Sequence, residues 1–231
     1  MAEFNNFFST IRKGLFQSQK QLSGIVFIDV EVGLQDKRAH DFGAAKGSGE
    51  ELHTTSRQDF SRFIADAEFV CGHNIIQHDL KYLSDIKHIT DKKPIDSLFL
   101  SPLLFPKRPY HKLLKDDKLQ TEEMNNPLND CLKARDLFYD EVNAFRALPI
   151  ELQTIYYGLL HQVNEFSAFF EYLQFSPTNA SLVSLILDIF KGKICQHSPI
   201  SLIARKHPVE LAYALALVST YDYYSITPPW L

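Results

Sequence analysis

An apolar run at residues 25–28, IVFI, leads directly into Asp29, Val30 and Glu31. Four successive β-branched or aromatic residues predict a strand that is buried on both faces. Side chains alternate along a strand, so Asp29 and Glu31 share one face while Val30 points to the other. Two carboxylates beside a core repel each other and lose hydration, a cost that a divalent cation offsets. The pattern indicates a metal-binding strand end; two solvated carboxylates at a strand terminus are the alternative.

Further elements follow from the same alternation of apolar and polar positions. A second alternating segment at residues 40–45, followed by a Gly/Ser turn, predicts a hairpin with the first strand. Residues 57–67 predict a helix, and residues 68–71 a short buried strand after it. Residues 95–100 predict another short strand, which Pro102 and Pro106 end.

The two ends of the chain carry helical patterns without catalytic residues. Residues 1–21 predict an amphipathic helix packed on the body, with a partner-binding or membrane-surface role as the alternative. Residues 146–231 predict a bundle of short helices, because prolines punctuate apolar segments and two of them begin helices. Packing is the simpler function of this region; a lid or a docking surface is the alternative.

Asp79 interrupts an apolar stripe. A strand, a Gly turn and a helix over residues 69–83 place Ile75, Asp79 and Leu83 on one helical face. The carboxylate is either a satisfied structural group or a functional one. His73 and His78 are five residues apart, a poor helical spacing for a shared zinc ion, so both are interpreted as structural or substrate-facing.

A basic segment at residues 107–115 places Lys and Arg beside Tyr110 and His111. Such a segment can contact phosphates and a stacked base, and phosphate contact is favoured over a merely solvated face by its context.

Asp130 lies near a predicted helix start. Asn126 is typical of an N-cap and Pro127 of the first helical position, which places Asp130 in or next to the first turn. An acid there suits the helix dipole without any catalytic duty. However, Ala134 and Leu137 share its face, so the carboxylate leans toward the core side of the helix.

Composition excludes some classes of protein. The 231 residues, 45% hydrophobic, are enough for one large domain or a domain with an appendage. A formal charge of −4 argues against a broadly basic nucleic-acid coat, but it allows an acidic metal site with a basic groove beside it. Three dispersed cysteines, the lack of a signal-peptide pattern and the lack of a membrane-length apolar run predict a cytoplasmic protein.

Taken in order, these motifs resemble a known family. The pattern Phe-Ile-Asp29-Val-Glu31, then Gly-His-Asn-x-x-x-His-Asp79-Leu-x-x-Leu, then Asn-Pro-Leu-x-Asp130, is similar to the three motifs of the DEDD superfamily of 3′-to-5′ exonucleases, which are related to polymerase proofreading domains. The resemblance covers residues 22–145 and implies an α/β, ribonuclease H-like mixed sheet flanked by helices, followed by a C-terminal helical extension. Asp96-Ser97-Leu98 and the Pro-Tyr-His-Lys-Leu segment at 109–113 also resemble exonuclease domains fused to RecQ-type helicases.

The resemblance implies a reaction as well as a fold. Asp29, Glu31, Asp79 and Asp130 would hold two Mg²⁺ or Mn²⁺ ions, one activating water and the other stabilising the leaving 3′ oxygen. Leu34 would wedge against the terminal base. The expected function is hydrolysis of phosphodiester bonds at a DNA 3′ end, in DNA repair; a catalytically weak nucleic-acid-binding or docking module and an exoribonuclease are the alternatives.

Asn74 and Lys112 complete the expected substrate-binding residues.

The residues at the family's general-base positions differ in this chain. Family members carry His five residues, or Tyr four residues, before the last acid, whereas this chain has Asn125 and Asn126. Amides do not titrate near neutrality, so we expect slow, Mn²⁺-assisted activity. His111 is the candidate base, with a structural or phosphate-contacting histidine as the alternative.

The sequence stops at Pro228-Pro229-Trp230-Leu231, a stiff segment with two large apolar residues. This pattern, with the helicase-associated resemblance, predicts a piece of a longer protein with a helicase domain downstream.

Overall fold

The computed structural model describes residues 24–33, 35–113 and 126–220. The chain divides into two compact units. Among the described residues, the first unit comprises 24–33, 35–95, 113 and 126–136, and the second comprises 96–112 and 137–220.

The first unit is built on a five-stranded mixed sheet with the order β3-β2-β1-β4-β5. Its strands are β1 (Ile25–Val32), β2 (Ala39–Lys46), β3 (Glu51–Thr54), β4 (Phe69–Gly72) and β5 (Lys93–Asp96). The helices of this region are α1 (Arg57–Ile64) and α2 (Asp79–Tyr82). Two further helices follow, α3 (Ser97–Leu104), which belongs to the second unit, and α4 (Pro127–Ala147), whose residues 127–136 belong to the first.

The strand register confirms the predicted hairpin. β1 and β2 are antiparallel, with Asp29 opposite Gly43 and Glu31 opposite Asp41. β4 joins the other side of β1 in parallel, with Phe27 opposite Cys71. The buried strand with two acids near its end is therefore the centre of the sheet, as its uninterrupted apolar start predicts.

An apolar core covers one face of the sheet. Val26, Ile28 and Val30 of β1 point into it and are buried. From α1, Phe60 packs against Phe42 with ring centroids 4.9 Å apart. On the opposite face, the buried Cys131 of α4 donates its thiol hydrogen to the Phe27 carbonyl oxygen at 3.2 Å. Helices thus cover both faces of β1, which explains why its residues 25–28 are apolar throughout.

Two predicted elements differ from the structure. The helix expected over residues 75–83 is only the four-residue α2, because Asn74 takes a left-handed φ of 66° and turns fill residues 75–78. The strand expected over residues 95–100 ends at Asp96. The Asp96 carboxylate caps α3 by accepting a hydrogen bond from the Leu98 amide at 3.0 Å, and Pro102 lies inside that helix.

The second unit is helical, and the predicted bundle of short helices is confirmed. It contains α3, residues 137–147 of α4, and five later helices: α5 (Ile150–Leu160), α6 (Asn164–Leu173), α7 (Leu182–Ile189), α8 (Ile200–Lys206) and α9 (Pro208–Ser219). Aromatic packing holds them together, with Phe145 and Phe169 rings 5.6 Å apart. The Tyr213 hydroxyl of α9 donates to the Phe99 carbonyl of α3 at 2.8 Å.

Some predictions concern residues outside the described ranges. These are the N-terminal helix at 1–21, the basic residues after 113, and the chain end at 228–231. The predicted domain boundary at 145/146 stays a prediction; the two units divide α4 at residues 136/137. No helix within the described ranges is long and apolar enough to cross a membrane.

Candidate functional site

A hydrogen bond ties Asp79 to the acidic end of β1. The Val30 amide donates to Asp79 Oδ1 at 3.2 Å, and both groups are buried. Val30 lies between Asp29 and Glu31, so this bond brings the acid of the second motif to the acids of the first. The turn over residues 75–78 and α2 position Asp79, and Ile75 and Leu83 are both buried.

Burial controls the charge of Asp79. The side chain is only 4% exposed, and removal from water raises its pKa to about 6, while nearby His78 and the Val30 amide act in the opposite direction. His78 Nδ1 lies 3.6 Å from Asp79 Oδ2, at the solvent edge. A cation next to this carboxylate would favour its ionised form.

The start of α4 lies directly on the strand next to Asp29. Gly43 is the register partner of Asp29. A Cβ at Gly43 would fall 2.2 Å from the Pro127 carbonyl carbon and 2.3 Å from the Leu128 nitrogen. Only glycine leaves room for that backbone, so the absence of a side chain at residue 43 lets the third motif approach β1.

The predicted helix start at the third motif is confirmed. Asn126 Oδ1 accepts a hydrogen bond from the Leu128 amide at 2.9 Å, and Asp130 lies in the first turn. Asp130 is partly buried, with Lys133 Nζ 3.9 Å from its Oδ1. Burial, and then the negative charge of Asp29, raise the pKa of the neighbouring Cys131 thiol.

Thus the structure brings all three motif segments to the C-terminal half of β1. Their four acids, Asp29, Glu31, Asp79 and Asp130, carry the hard oxygen ligands that Mg²⁺ and Mn²⁺ prefer. The donor chemistry fits those ions. Within the described ranges, however, no three His, Cys, Asp or Glu side chains are grouped closely enough to hold a metal ion. The backbone segments that carry the four acids meet at β1.

No model of a known protein family and no curated protein matches the chain. Its function is therefore argued from the residues and geometry of the site.

The remaining predicted site residues belong to both units. Asn74 has the left-handed backbone described above, and its carbonyl accepts a hydrogen bond from the His78 amide at 2.9 Å. Leu34 and Asn125 lie outside the described residues. Lys112 is exposed on the second unit.

His111 also belongs to the second unit. Its Nδ1 is 2.9 Å from the Ser101 hydroxyl oxygen. Partial burial, and then the positive charge of Arg108, lower the pKa of His111, which favours a neutral imidazole at physiological pH.

Sequence reasoning missed a basic groove on the first unit. Its cations come from Lys37 and Arg38 before β2, from Arg57 at the start of α1, and from Lys81 in α2. Only Lys37 and Arg38 are neighbours in the chain. In the sequence, this dibasic pair was the only sign of the groove, and it is a weak one. The fold brings Arg57 and Lys81 to the same place.

A buried acid in the second unit was also missed. Glu141 is fully buried, and neither of its carboxylate oxygens has a hydrogen-bond partner among the described residues. Burial, and then the nearby Asp96 carboxylate, raise the pKa of Glu141 well above its usual value, so the group is held neutral. The sequence did contain a sign of this burial. Glu141 follows the buried Phe138 by three residues, a spacing that places the acid on the apolar side of α4.

Proposed function

We propose that this protein is a metal-dependent 3′-to-5′ exonuclease of the DEDD type, with a ribonuclease H-like fold, which hydrolyses phosphodiester bonds at a DNA 3′ end. The observation that carries the proposal is the hydrogen bond from the Val30 amide to Asp79 Oδ1. It joins the acid of the second motif to the strand that holds both acids of the first. Acids that share metal ions require their segments to meet in this way.

The fold supports the proposal at a coarse level. A five-stranded mixed sheet with helices on both faces is the kind of scaffold that the resemblance implies. The acids are near the end of its central strand, where a rigid sheet can position them better than a loop can.

Asp29, Glu31, Asp79 and Asp130 are the proposed ligands of two Mg²⁺ or Mn²⁺ ions. Such ions, when bound, activate a water molecule and stabilise the leaving 3′ oxygen. The chain itself holds Asp79 with the Val30 amide and excludes water around it. Because burial raises the pKa of Asp79 to about 6, a proton competes for this carboxylate in mildly acidic solution. We therefore expect activity to fall as the pH drops through about 6.

The general base remains a separate proposal. Asn125 and Asn126 cannot accept a proton near neutrality. His111, whose pKa is lowered, is the proposed base. If it has that role, His111→Ala should slow single-turnover cleavage by a factor of about 10² to 10⁴. Cleavage at the wild-type rate would assign His111 to structure instead.

The test is a cleavage assay with end-labelled single-stranded DNA, duplex DNA and RNA, each in Mg²⁺, Mn²⁺ or EDTA. We expect stepwise shortening from the 3′ end of DNA, fastest in Mn²⁺ and abolished by EDTA. Asp29→Asn should reduce the rate by at least about 100-fold, since it removes a charge that acts on the transition state. The matched control is Asp91→Asn, because Asp91 is an exposed acid of the same unit. Cleavage that survives EDTA or Asp29→Asn would contradict the proposal.

One observation favours a second candidate, a catalytically weak nucleic-acid-binding module. In the part of the chain that the structure describes, the four acids form no group of three at metal-holding distance. Such a module would bind the labelled strands without shortening them in either metal. Degradation of RNA in preference to DNA would instead identify an exoribonuclease.

A further inference from the structure

A concave, cationic surface lies on the first unit. We call it the basic groove; it has a volume of about 560 Å³ and is lined by Lys37, Arg38, His40, Arg57, Lys81 and Asp85 together with smaller and aromatic neighbours. The cations come from three separate segments of the fold: the connection between β1 and β2, the start of α1, and α2. A charge run on a single helix is usually a solvated face, whereas cations converging on one concavity focus an electric field.

Part of this charge is used inside the protein. The guanidinium of Arg57 donates to the Asp85 carboxylate and, at 3.1 Å, to the Ala39 carbonyl oxygen. His40 is paired with Asp36. These contacts fix the walls of the groove, and the Asp85 carboxylate balances the charge of Arg57.

The other three cations, Lys37, Arg38 and Lys81, have no ion-pair partner among the described residues. Three like charges around one concavity repel each other, although the chain as a whole carries a formal charge of −4. An anionic ligand would remove this repulsion. The groove therefore has the electrostatic character of a polyanion site.

Its position connects it to the proposed acid site. Lys81 and Tyr82 belong to the same four-residue helix as Asp79, so one wall of the groove begins within a helical turn of that acid. Lys37 and Arg38 follow β1, the strand that carries Asp29 and Glu31. Tyr82 adds an aromatic ring to the lining. Cations with an interleaved aromatic are typical of surfaces that hold single-stranded nucleic acid, where phosphates meet the cations and a base meets the ring.

We infer that the basic groove binds the phosphodiester backbone of a single nucleic-acid strand, through Lys37, Arg38 and Lys81, and leads that strand to the acids at the end of β1. The direction of the strand toward the acids rests on the proposed exonuclease function. The binding of the backbone itself does not.

The test measures binding without cleavage. Fluorescence anisotropy with a labelled oligothymidylate in EDTA gives the Kd at a series of salt concentrations. The variant Arg38→Gln/Lys81→Gln removes one Arg and one Lys from the groove. We expect its Kd at low salt to rise about tenfold or more, and the slope of log K against log salt to fall by about 1.4, since each phosphate contact on a single strand contributes about 0.7.

The matched control is Arg62→Gln/Lys87→Gln, which removes one Arg and one Lys from exposed positions of the same unit outside the groove. It should bind with the wild-type Kd and slope, and thermal melting should show that both double variants stay folded. Equal Kd values and slopes for the groove variant and the control would overturn the inference. Displacement of the oligonucleotide by polyglutamate at equal charge concentration would also overturn it, because the site would then be a general polyanion site.

The experiment separates this inference from the proposed function. Wild-type protein that binds through the groove but never shortens DNA would support the groove and contradict the exonuclease. Normal cleavage by the groove variant, with unchanged Kd and KM, would support the exonuclease and contradict the groove.

Discussion

Asp79 is the residue on which most of the site depends. It is a buried carboxylate with one backbone donor, the Val30 amide, and its raised pKa shows that the protein does not stabilise the charge fully. Groups of this kind cluster at functional sites, because selection for stability alone would replace them. A bound cation would supply the missing stabilisation.

This view predicts how Asp79→Asn affects stability. The folded-state pKa, about 6, lies above the usual 3.8, so the folded protein holds the Asp79 proton more tightly than the unfolded chain. The stability cost of ionisation is absent below pH 3.8, grows as the pH rises from there to about 6, and is complete above about 6. Asparagine keeps the acceptor for the Val30 amide without a charge. In EDTA, the variant should therefore gain up to roughly 3 kcal/mol in free energy of unfolding in mildly alkaline solution.

Well below pH 3.8 the gain should vanish, because Asp79 of the wild type is then protonated in both the folded and the unfolded state. Urea unfolding across pH measures both values, with Asp91→Asn as the control at an exposed acid. An unchanged pH dependence of stability in Asp79→Asn would show that this carboxylate has an ordinary pKa.

Individual residues also show what a sequence can reveal. Asp79 was recognisable because it interrupts an apolar stripe, and it is buried even though the helix predicted around it is shorter. Glu141 lies on the buried side of α4 in the same way, but it belongs to no motif and was overlooked. Burial of an acid can thus be predicted from spacing, whereas its partners depend on the tertiary fold.

At the scale of elements, the site depends on the close approach of α4 to β2. The start of α4 reaches Gly43 because that residue has no side chain, and Gly43 is the register partner of Asp29. A methyl group there would meet backbone atoms, which cannot move aside as a side chain can.

We therefore predict that Gly43→Ala displaces the start of α4. It should lower the free energy of unfolding by about 3 kcal/mol, the upper end of the usual cost of overpacking. Any Mn²⁺-induced stabilisation should weaken with it, since Asp130 would move away from Asp29. Urea unfolding with and without Mn²⁺ measures both effects.

The control is Gly158→Ala in α5, where the new Cβ would approach only the end of the Leu182 side chain, at 2.9 Å. That substitution should change the free energy of unfolding by no more than about 1 kcal/mol, because alanine also favours the helix. A Gly43→Ala variant as stable as Gly158→Ala would mean that α4 does not depend on this contact.

Some strands and helices could be predicted from the sequence and others could not. The hairpin, the central strand and the capped start of α4 were predicted, because alternation, apolar runs and an Asn-Pro cap are local signals. The residues after Asp96 were misassigned as strand. Their apolar run is compatible with either a buried strand or a buried helix. The Asp96 side chain favours the helix because it caps the helix start.

At the scale of the whole molecule, charge is distributed unevenly. The chain has a formal charge of −4, yet one groove of the first unit gathers Lys37, Arg38 and Lys81 without counter-ions in the described ranges. Net charge allowed such a groove but could not locate it, because its residues come from distant segments. The mixed sheet was expected from the family resemblance, but its strand order was not, since β1 pairs with β4, a strand that follows a whole helix.

The central claim is that Asp29, Glu31, Asp79 and Asp130 bind divalent metal together. The most direct measurement is thermal unfolding of wild type and Asp29→Asn with and without Mn²⁺. An ion that binds only the folded state, at 100 times its Kd, adds about 2.7 kcal/mol of stability, so the wild-type Tm should rise by roughly 5 °C or more. Asp29→Asn should lose most of this rise, while the control Asp91→Asn keeps it. No rise in wild type, or an equal rise in Asp29→Asn, would contradict the account.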